Sequence, residues 1–151
     1  MSIDPLLAVS ATDGRYRGKV EPLAKLTSEF GLMRYRVEVE CRWFVFLSHQ
    51  ADIPELPGLS AEDEKFVEDI IEKFDLKAAQ AIKDFEATTN HDVKAVEYYV
   101  KAQLSENAAL VPYVEWIHFG CTSEDINNVA YALMVKQARE QVLVPQMMKL
   151  V

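Results

Sequence analysis

Apolar residues recur at every third or fourth position along most of the chain, which is the spacing of amphipathic helices. Three consecutive stretches show it: Phe66, Ile70 and Phe74; Leu76, Ala79, Ile82 and Phe85; Val93, Val96, Val100 and Leu104. Ser60, Asp75 and a polar cluster at residues 88–92 precede these stretches and contain the residue types that cap helix N-termini. The pattern predicts three helices, with the polar cluster at the start of the third.

The segment 35–43 fits two patterns. Its apolar and charged residues alternate as in a half-buried strand, but Leu32, Tyr35, Val39, Trp43 and Phe46 also follow helical spacing. Opposite charges four residues apart stabilise a helix, whereas on a strand the same charges would crowd one face. Such pairs are Arg34 with Glu38, Arg36 with Glu40, and Glu38 with Arg42. We therefore predict a helix from about residue 26 to about residue 48.

The C-terminal part predicts one long helix that begins at residues 122–125. Its apolar side consists of Ile126, Val129, Ala130, Leu133, Ala138 and Val142, and Pro145 is expected to interrupt it. The last residues are apolar and carry no helix-stop signal, so we expect a fragment of a longer protein; a complete small protein with a frayed tail is the alternative. We predict an all-α chain with a helical domain at 1–111 and the start of a second domain at 112–151.

Composition narrows the classes of function. The formal net charge is −8, which argues against a general nucleic-acid or anionic-membrane binder. No apolar run approaches the length of a membrane span, and no signal peptide is apparent at the N-terminus. Cys41 and Cys121 fit neither a CxxC metal pattern nor a disulfide framework, which favours a reducing, cytoplasmic location.

Two polar clusters precede predicted helices or turns in the first two thirds of the chain. Arg15 and Tyr16 follow an Asp-Gly turn and offer donors suited to phosphate or carboxylate, although an ordinary surface turn explains these residues more simply. Asn90, His91 and Asp92 stand at a predicted helix start, whose free N–H groups favour an anion and disfavour a protonated imidazole. His91 is therefore a candidate donor or proton carrier, with plain helix capping as the alternative.

A third cluster opens the last helix. Gly120 allows a tight turn, and Thr122 and Ser123 place hydroxyls beside the first-turn N–H groups. Together these groups form a plausible carboxylate pocket. Glu124 and Asp125 complement the helix dipole without any catalytic role, and capping alone explains part of the cluster.

Metal and cofactor motifs are not evident. His49, His91 and His118 have no second histidine or cysteine three or four residues away, and neither a GxGxxG nor a P-loop motif occurs. We therefore expect no metal and no cofactor. Cys121 follows His118 by three residues, but a nucleophile–base pair requires spatial proximity that sequence does not supply.

Taken together, the clusters resemble the fumarase/aspartase superfamily, and within it the branch that acts in purine biosynthesis. The resemblance covers essentially the whole chain and is densest in two segments. One is the run TTNHDVKAVEY at residues 88–98, which is similar to the bacterial purine enzymes. The other is IHFGCTSEDINN at residues 117–128, whose T-S-x-D helix start is shared across the superfamily.

The resemblance implies an all-α protein about three times longer, a homotetramer with a long central helical bundle, and active sites shared between three subunits. The implied reaction is β-elimination of fumarate from adenylosuccinate, giving AMP, and from SAICAR, giving AICAR. Arg15 and Tyr16 then resemble phosphate contacts, and Thr122 and Ser123 resemble ligands of the succinyl carboxylate. Substrate contacts are implied for Asn90, His91 and Asp92, with a part in proton transfer for His91.

The superfamily's principal acid histidine and its mobile serine loop have no counterpart in this sequence. We therefore expect the 151-residue chain to be inactive alone and its last helix to expose apolar residues. Two alternatives stay open: another lyase of the superfamily, such as one cleaving argininosuccinate, or a non-catalytic helical interaction module.

Overall fold

A computed structural model describes residues 4–150, and these residues form helices and turns with no strand. The α-helices are α1 (Arg17–Thr27), α2 (Glu29–Ser48), α3 (Ala61–Glu72), α4 (Leu76–Thr89), α5 (Asp92–Leu104), α6 (Ser123–Ala138) and α7 (Val144–Met147). Short 3-10 helices occupy Pro5–Leu7 and Val111–Trp116. The predicted all-α class is confirmed. No helix in this part of the chain is long and apolar enough to cross a membrane.

Helix α2 is the centre of the structure and contacts α1, α3, α4, α5 and α6. Its residues Val37, Cys41 and Phe44 are fully buried and pack with α3, α4 and α5 in one apolar core. A second, smaller core joins Tyr35 of α2 to Ala130 and Met134 of α6. Residues 35–43 lie entirely within α2, so the helix prediction for this segment is confirmed.

The start of α2 lies later than the sequence predicted. Ser28 caps the helix by accepting a hydrogen bond from the Gly31 N–H at 3.3 Å, and the residues before it belong to the separate helix α1. A Cβ atom at Gly31 would lie 2.4 Å from the Leu26 carbonyl oxygen, so only glycine allows the two helix ends to approach so closely. The sequence reading did not anticipate α1, which contains Pro22.

The predicted caps of α3 and α4 are present. Ser60 accepts from the Asp63 N–H, and Asp75 accepts from the N–H groups of Lys77 and Ala78, both at 2.9 Å. The polar cluster at residues 88–92 is divided differently from the prediction: Thr89 ends α4, Asn90 follows in a left-handed conformation (φ 55°), and His91 is the N-cap of α5. Residues 88–92 thus contain both the end of α4 and the start of α5.

Helix α6 is interrupted before Pro145, as predicted. It ends at Ala138, a π-helical turn spans Arg139–Leu143, and α7 follows. Proline cannot donate a backbone hydrogen bond, which accounts for the break. On α6, Ile126, Ala130 and Met134 are buried, whereas Val129 and Val135 are exposed, so the helix has unburied apolar positions as expected. The domain boundary at residue 112 stays a prediction.

Candidate active site at the starts of two helices

The beginnings of α5 and α6 meet across a small cavity of about 220 Å³. Its lining consists of His91, Lys94, Glu97, His118 and Ser123. His91 comes from the second polar cluster of the sequence and Ser123 from the third. The fold therefore brings two of the predicted site residues, which are 32 positions apart, to one place.

His91 is both a helix cap and a cavity residue. Its Nδ1 accepts a hydrogen bond from the Lys94 N–H at 3.2 Å, and about half of its side chain is exposed. A nitrogen that accepts carries no proton, so in this arrangement the ring proton resides on Nε2. Nε2 is thus the nitrogen of His91 that can donate to a ligand, because Nδ1 serves as the acceptor that caps α5.

Ser123 and Thr122 differ in what their hydroxyls can offer a ligand. The Thr122 hydroxyl donates to Asp125 at 2.8 Å, and the Thr122 N–H donates to the same carboxylate oxygen at 2.6 Å. These two bonds hold the pKa of Asp125 below its usual range. Ser123 is half-buried, and its hydroxyl makes no hydrogen bond within residues 4–150. Ser123 therefore has the free donor at this helix start.

A buried arginine links the N-terminal parts of α5 and α6 by bonding to both helices. Arg36 of α2 is only 5% exposed; its Nε donates to Asn127 of α6 at 2.9 Å, and its guanidinium pairs with Asp92 of α5 at 2.8 Å. Partial burial acts to raise the pKa of Asp92, but Arg36 and the Val93 N–H outweigh it and the pKa is lowered. The carboxylate of Asp92 is thus already engaged inside the chain.

His118 reaches the cavity from the segment before α6. Its Nδ1 lies 2.6 Å from Oε1 of Glu40, a fully buried carboxylate of α2. Burial raises the pKa of Glu40, and the hydrogen bond to His118 offsets only part of this effect. His118 is therefore paired with Glu40 and not with Cys121, whose pKa is raised by burial and by the charges of Glu40 and Asp125. A Cys121 nucleophile receives no support from this geometry.

The remaining predicted residues do not line this cavity. Arg15 and Tyr16 lie in the turn before α1, where the guanidinium carbon is 5.3 Å from the tyrosine ring centroid and both side chains are exposed. Asn90 and Thr122 are exposed beside the cavity residues that follow them. The site roles of all seven residues stay predictions. Between residues 4 and 150 no group of histidine, cysteine and carboxylate side chains could hold a metal ion.

Sequence reasoning missed Arg36 and Glu40. Their spacing predicts an ion pair of Arg36 with Glu40, whereas in the structure Arg36 pairs with Asp92 and Glu40 with His118. A usable signal was present, since these two residues fall on the helical face shared with Met33 and Val37, which the core buries. Charged residues on a buried face require partners, and the polar clusters of the sequence supply them.

Comparison with known proteins shows which protein family the chain belongs to. The family model described as lyase matches residues 14–151, which is most of the sequence. The chain therefore belongs to this lyase family, and the resemblance to the fumarase/aspartase superfamily is confirmed.

The chain is similar, more narrowly, to curated adenylosuccinate lyases. It is 48% identical to that of Haemophilus influenzae over 151 residues, covering 100% of this chain and 33% of the relative. It is 51% identical to that of Legionella pneumophila (strain Corby) over 145 residues, covering 96% and 32%. It is 46% identical to that of Escherichia coli K12 over 151 residues, covering 100% and 33%. The chain spans about one third of the length of these relatives.

The Arg36→Met substitution tests whether this arginine fastens the two helix starts. It removes the partners of Asp92 and Asn127 while preserving most of the apolar stem, and we expect a loss of about 1–3 kcal/mol in unfolding free energy. Arg42→Met is the matched control, because Arg42 lies on the same helix but is exposed and pairs, among residues 4–150, with Glu38 and Glu68 alone. Its loss is expected to stay below about 1 kcal/mol. Equal losses in urea titrations of both variants would contradict the fastening role.

Proposed function

We propose that this chain is part of an enzyme that eliminates fumarate from adenylosuccinate, giving AMP, and from SAICAR, giving AICAR, in purine biosynthesis. The observation that carries the proposal is the convergence of His91 and Ser123 on one cavity, in a chain that belongs to a lyase family. The similarity to curated adenylosuccinate lyases supports the choice of substrate.

The proposed elimination needs two proton transfers. A base removes a proton from the carbon next to a succinyl carboxylate, the carbon–nitrogen bond breaks, and an acid protonates the departing nitrogen. Fumarate and the nucleotide are the products, and no metal or cofactor is required. His91 takes part in proton transfer, and its Nε2 is the nitrogen available to a ligand because Nδ1 is used by the α5 cap.

Binding of the succinyl carboxylate is assigned to Ser123 and Thr122 at the start of α6. Two features support the assignment: the unused Ser123 hydroxyl and the partial positive charge of a helix N-terminus. Arg15 and Tyr16 are assigned to the nucleotide phosphate, for which the exposed guanidinium is suited. Asn90 and Asp92 complete the proposed contacts beside His91.

The complete enzyme is proposed to be a cytoplasmic homotetramer in which other polypeptide segments supply the principal acid and base. Exposed apolar side chains on α6, on α7 and at the residue after α7 support association: Val129, Tyr131, Val135, Val144, Met147 and Met148. A surface of this kind is stabilised when another helix covers it.

Fumarate release tests the proposed function. The full-length protein is expected to convert adenylosuccinate into equimolar AMP and fumarate, measured by chromatography, while the chain of residues 1–151 alone releases none. Argininosuccinate serves as the control substrate for another lyase of the superfamily. Turnover of argininosuccinate alone, or of neither substrate by the full-length protein, contradicts the proposal.

Substitution of His91 separates capping from chemistry. In the full-length enzyme, His91→Gln is expected to lower kcat by about 10²-fold or more, because the ring is lost from proton transfer. His91→Asn is the matched variant, since asparagine is a strong helix cap but has no imidazole. It should show the same loss of kcat with an unchanged Tm. A raised KM with an unchanged kcat would instead make His91 a binding residue.

Ser123→Ala tests the carboxylate contact. Loss of one hydrogen bond to the ligand is expected to weaken substrate binding by about 1–3 kcal/mol, seen as a lower kcat/KM. Ser105→Ala is the control, because the Ser105 hydroxyl only donates to the Lys101 carbonyl at the end of α5. Identical kinetics of Ser123→Ala and the parent enzyme would refute the contact.

A further inference from the structure

Glu40 is a buried carboxylate that the packing of the fold does not account for. Its side chain is 0% exposed in the middle of α2, and its Oε2 has no hydrogen-bond partner within the described residues. Its Oε1 lies 2.6 Å from Nδ1 of His118, within hydrogen-bonding distance. A well-packed apolar side chain avoids the desolvation penalty of such a group, so Glu40 points to a role exerted through His118.

The two lysines of α5 pair with another carboxylate, and the side chain that pairs with Glu40 is His118. The nearby carboxylate of Glu97 on α5 is only 4% exposed, but it is paired with Lys94 and Lys101, each within 3.0 Å. Burial acts to raise the pKa of Glu97, and the two lysines overcome it, so the pKa is lowered. Both lysines are thus engaged by Glu97, and the side chain that pairs with Glu40 is the imidazole of His118.

The bond to Glu40 determines which face of His118 a ligand meets. The two ring nitrogens of histidine point away from each other, so fixing Nδ1 on the interior carboxylate directs Nε2 outward. His118 lines the same cavity as His91 and Ser123. Its backbone has φ 65°, a conformation that side chains rarely adopt, so its position is set by its surroundings.

We propose that Glu40 is a positioning residue of the lyase site: its carboxylate holds the His118 ring by Nδ1, so that Nε2 is presented to the cavity occupied by substrate. The inference rests on the proposed function, because Glu40 affects turnover only through a ring that faces the substrate. It adds to the site a residue one helical turn after Arg36 on the same buried face of α2.

A double-mutant cycle in the full-length enzyme tests the proposal. Glu40→Met removes the acceptor while conserving side-chain length, and we expect kcat/KM to fall by about tenfold or more. In a His118→Asn background, which suits the positive φ, the same substitution should change kcat/KM less than twofold. Ser48→Ala is the control, because Ser48 is buried on α2 and its hydroxyl donates to the Val45 carbonyl of the same helix; its kinetics should match the parent. An equal loss in both backgrounds overturns the proposal, because it shows that Glu40 serves only folding.

Two further measurements keep the test decisive. If Glu40→Met does not fold, Glu40→Gln enters the same cycle; its carbonyl can still accept from Nδ1–H, so a smaller loss is expected that again disappears in His118→Asn. Crystal structures of the parent and the Glu40 variant read the ring orientation without any assay. A His118 ring that is rotated, or that occupies two alternate conformations, in the variant supports the proposal. An unchanged ring orientation overturns it. Absence of fumarate release by the parent contradicts the proposed function separately from this structural result.

Discussion

One buried polar face of α2 holds the candidate site together. Arg36 and Glu40 lie one helical turn apart on this face, and both are almost completely shielded from water. Arg36 bonds to Asp92 in the first turn of α5 and to Asn127 in the second turn of α6, and Glu40 bonds to the segment that leads into α6. Because unpaired charges in such surroundings are strongly unfavourable, the partners must stay in contact for the fold to persist. The relative placement of the two helix starts follows from this requirement.

The helix starts themselves contribute the local chemistry. The first N–H groups of a helix have no partner within it, and each start in this chain satisfies them in its own way. At α5, Nδ1 of His91 accepts a hydrogen bond from the Lys94 N–H, which leaves Nε2 for a ligand. At α6 the Asp125 carboxylate engages Thr122 and leaves the neighbouring Ser123 hydroxyl free. The capping interactions that satisfy the first N–H groups of each helix thereby determine which side-chain donors stay available to a ligand.

Much of the fold was readable from the spacing of apolar residues. Ser60 and Asp75 predicted the starts of α3 and α4, and the pair of Glu38 with Arg42, which the structure contains, favoured a helix for the ambiguous segment. These features act within one or two turns, so a linear pattern contains them completely. The apolar spacing did not predict the break between α1 and α2. This break depends on the cap at Ser28 and on a close contact at Gly31 that only the packed helices create.

The sequence by itself determined the helical class, most of the helix starts, and the polar clusters that hold His91 and Ser123. Tertiary structure alone decided that these two residues share a cavity, that Arg15 and Tyr16 stand apart from it within this chain, and that Arg36 and Glu40 are interior groups. The physical reason is range. Capping and helical periodicity depend on neighbours a few residues away, whereas the bonds Arg36–Asn127 and Glu40–His118 join residues 91 and 78 positions apart. Only the packing of α2 among the other helices brings those partners within hydrogen-bonding distance.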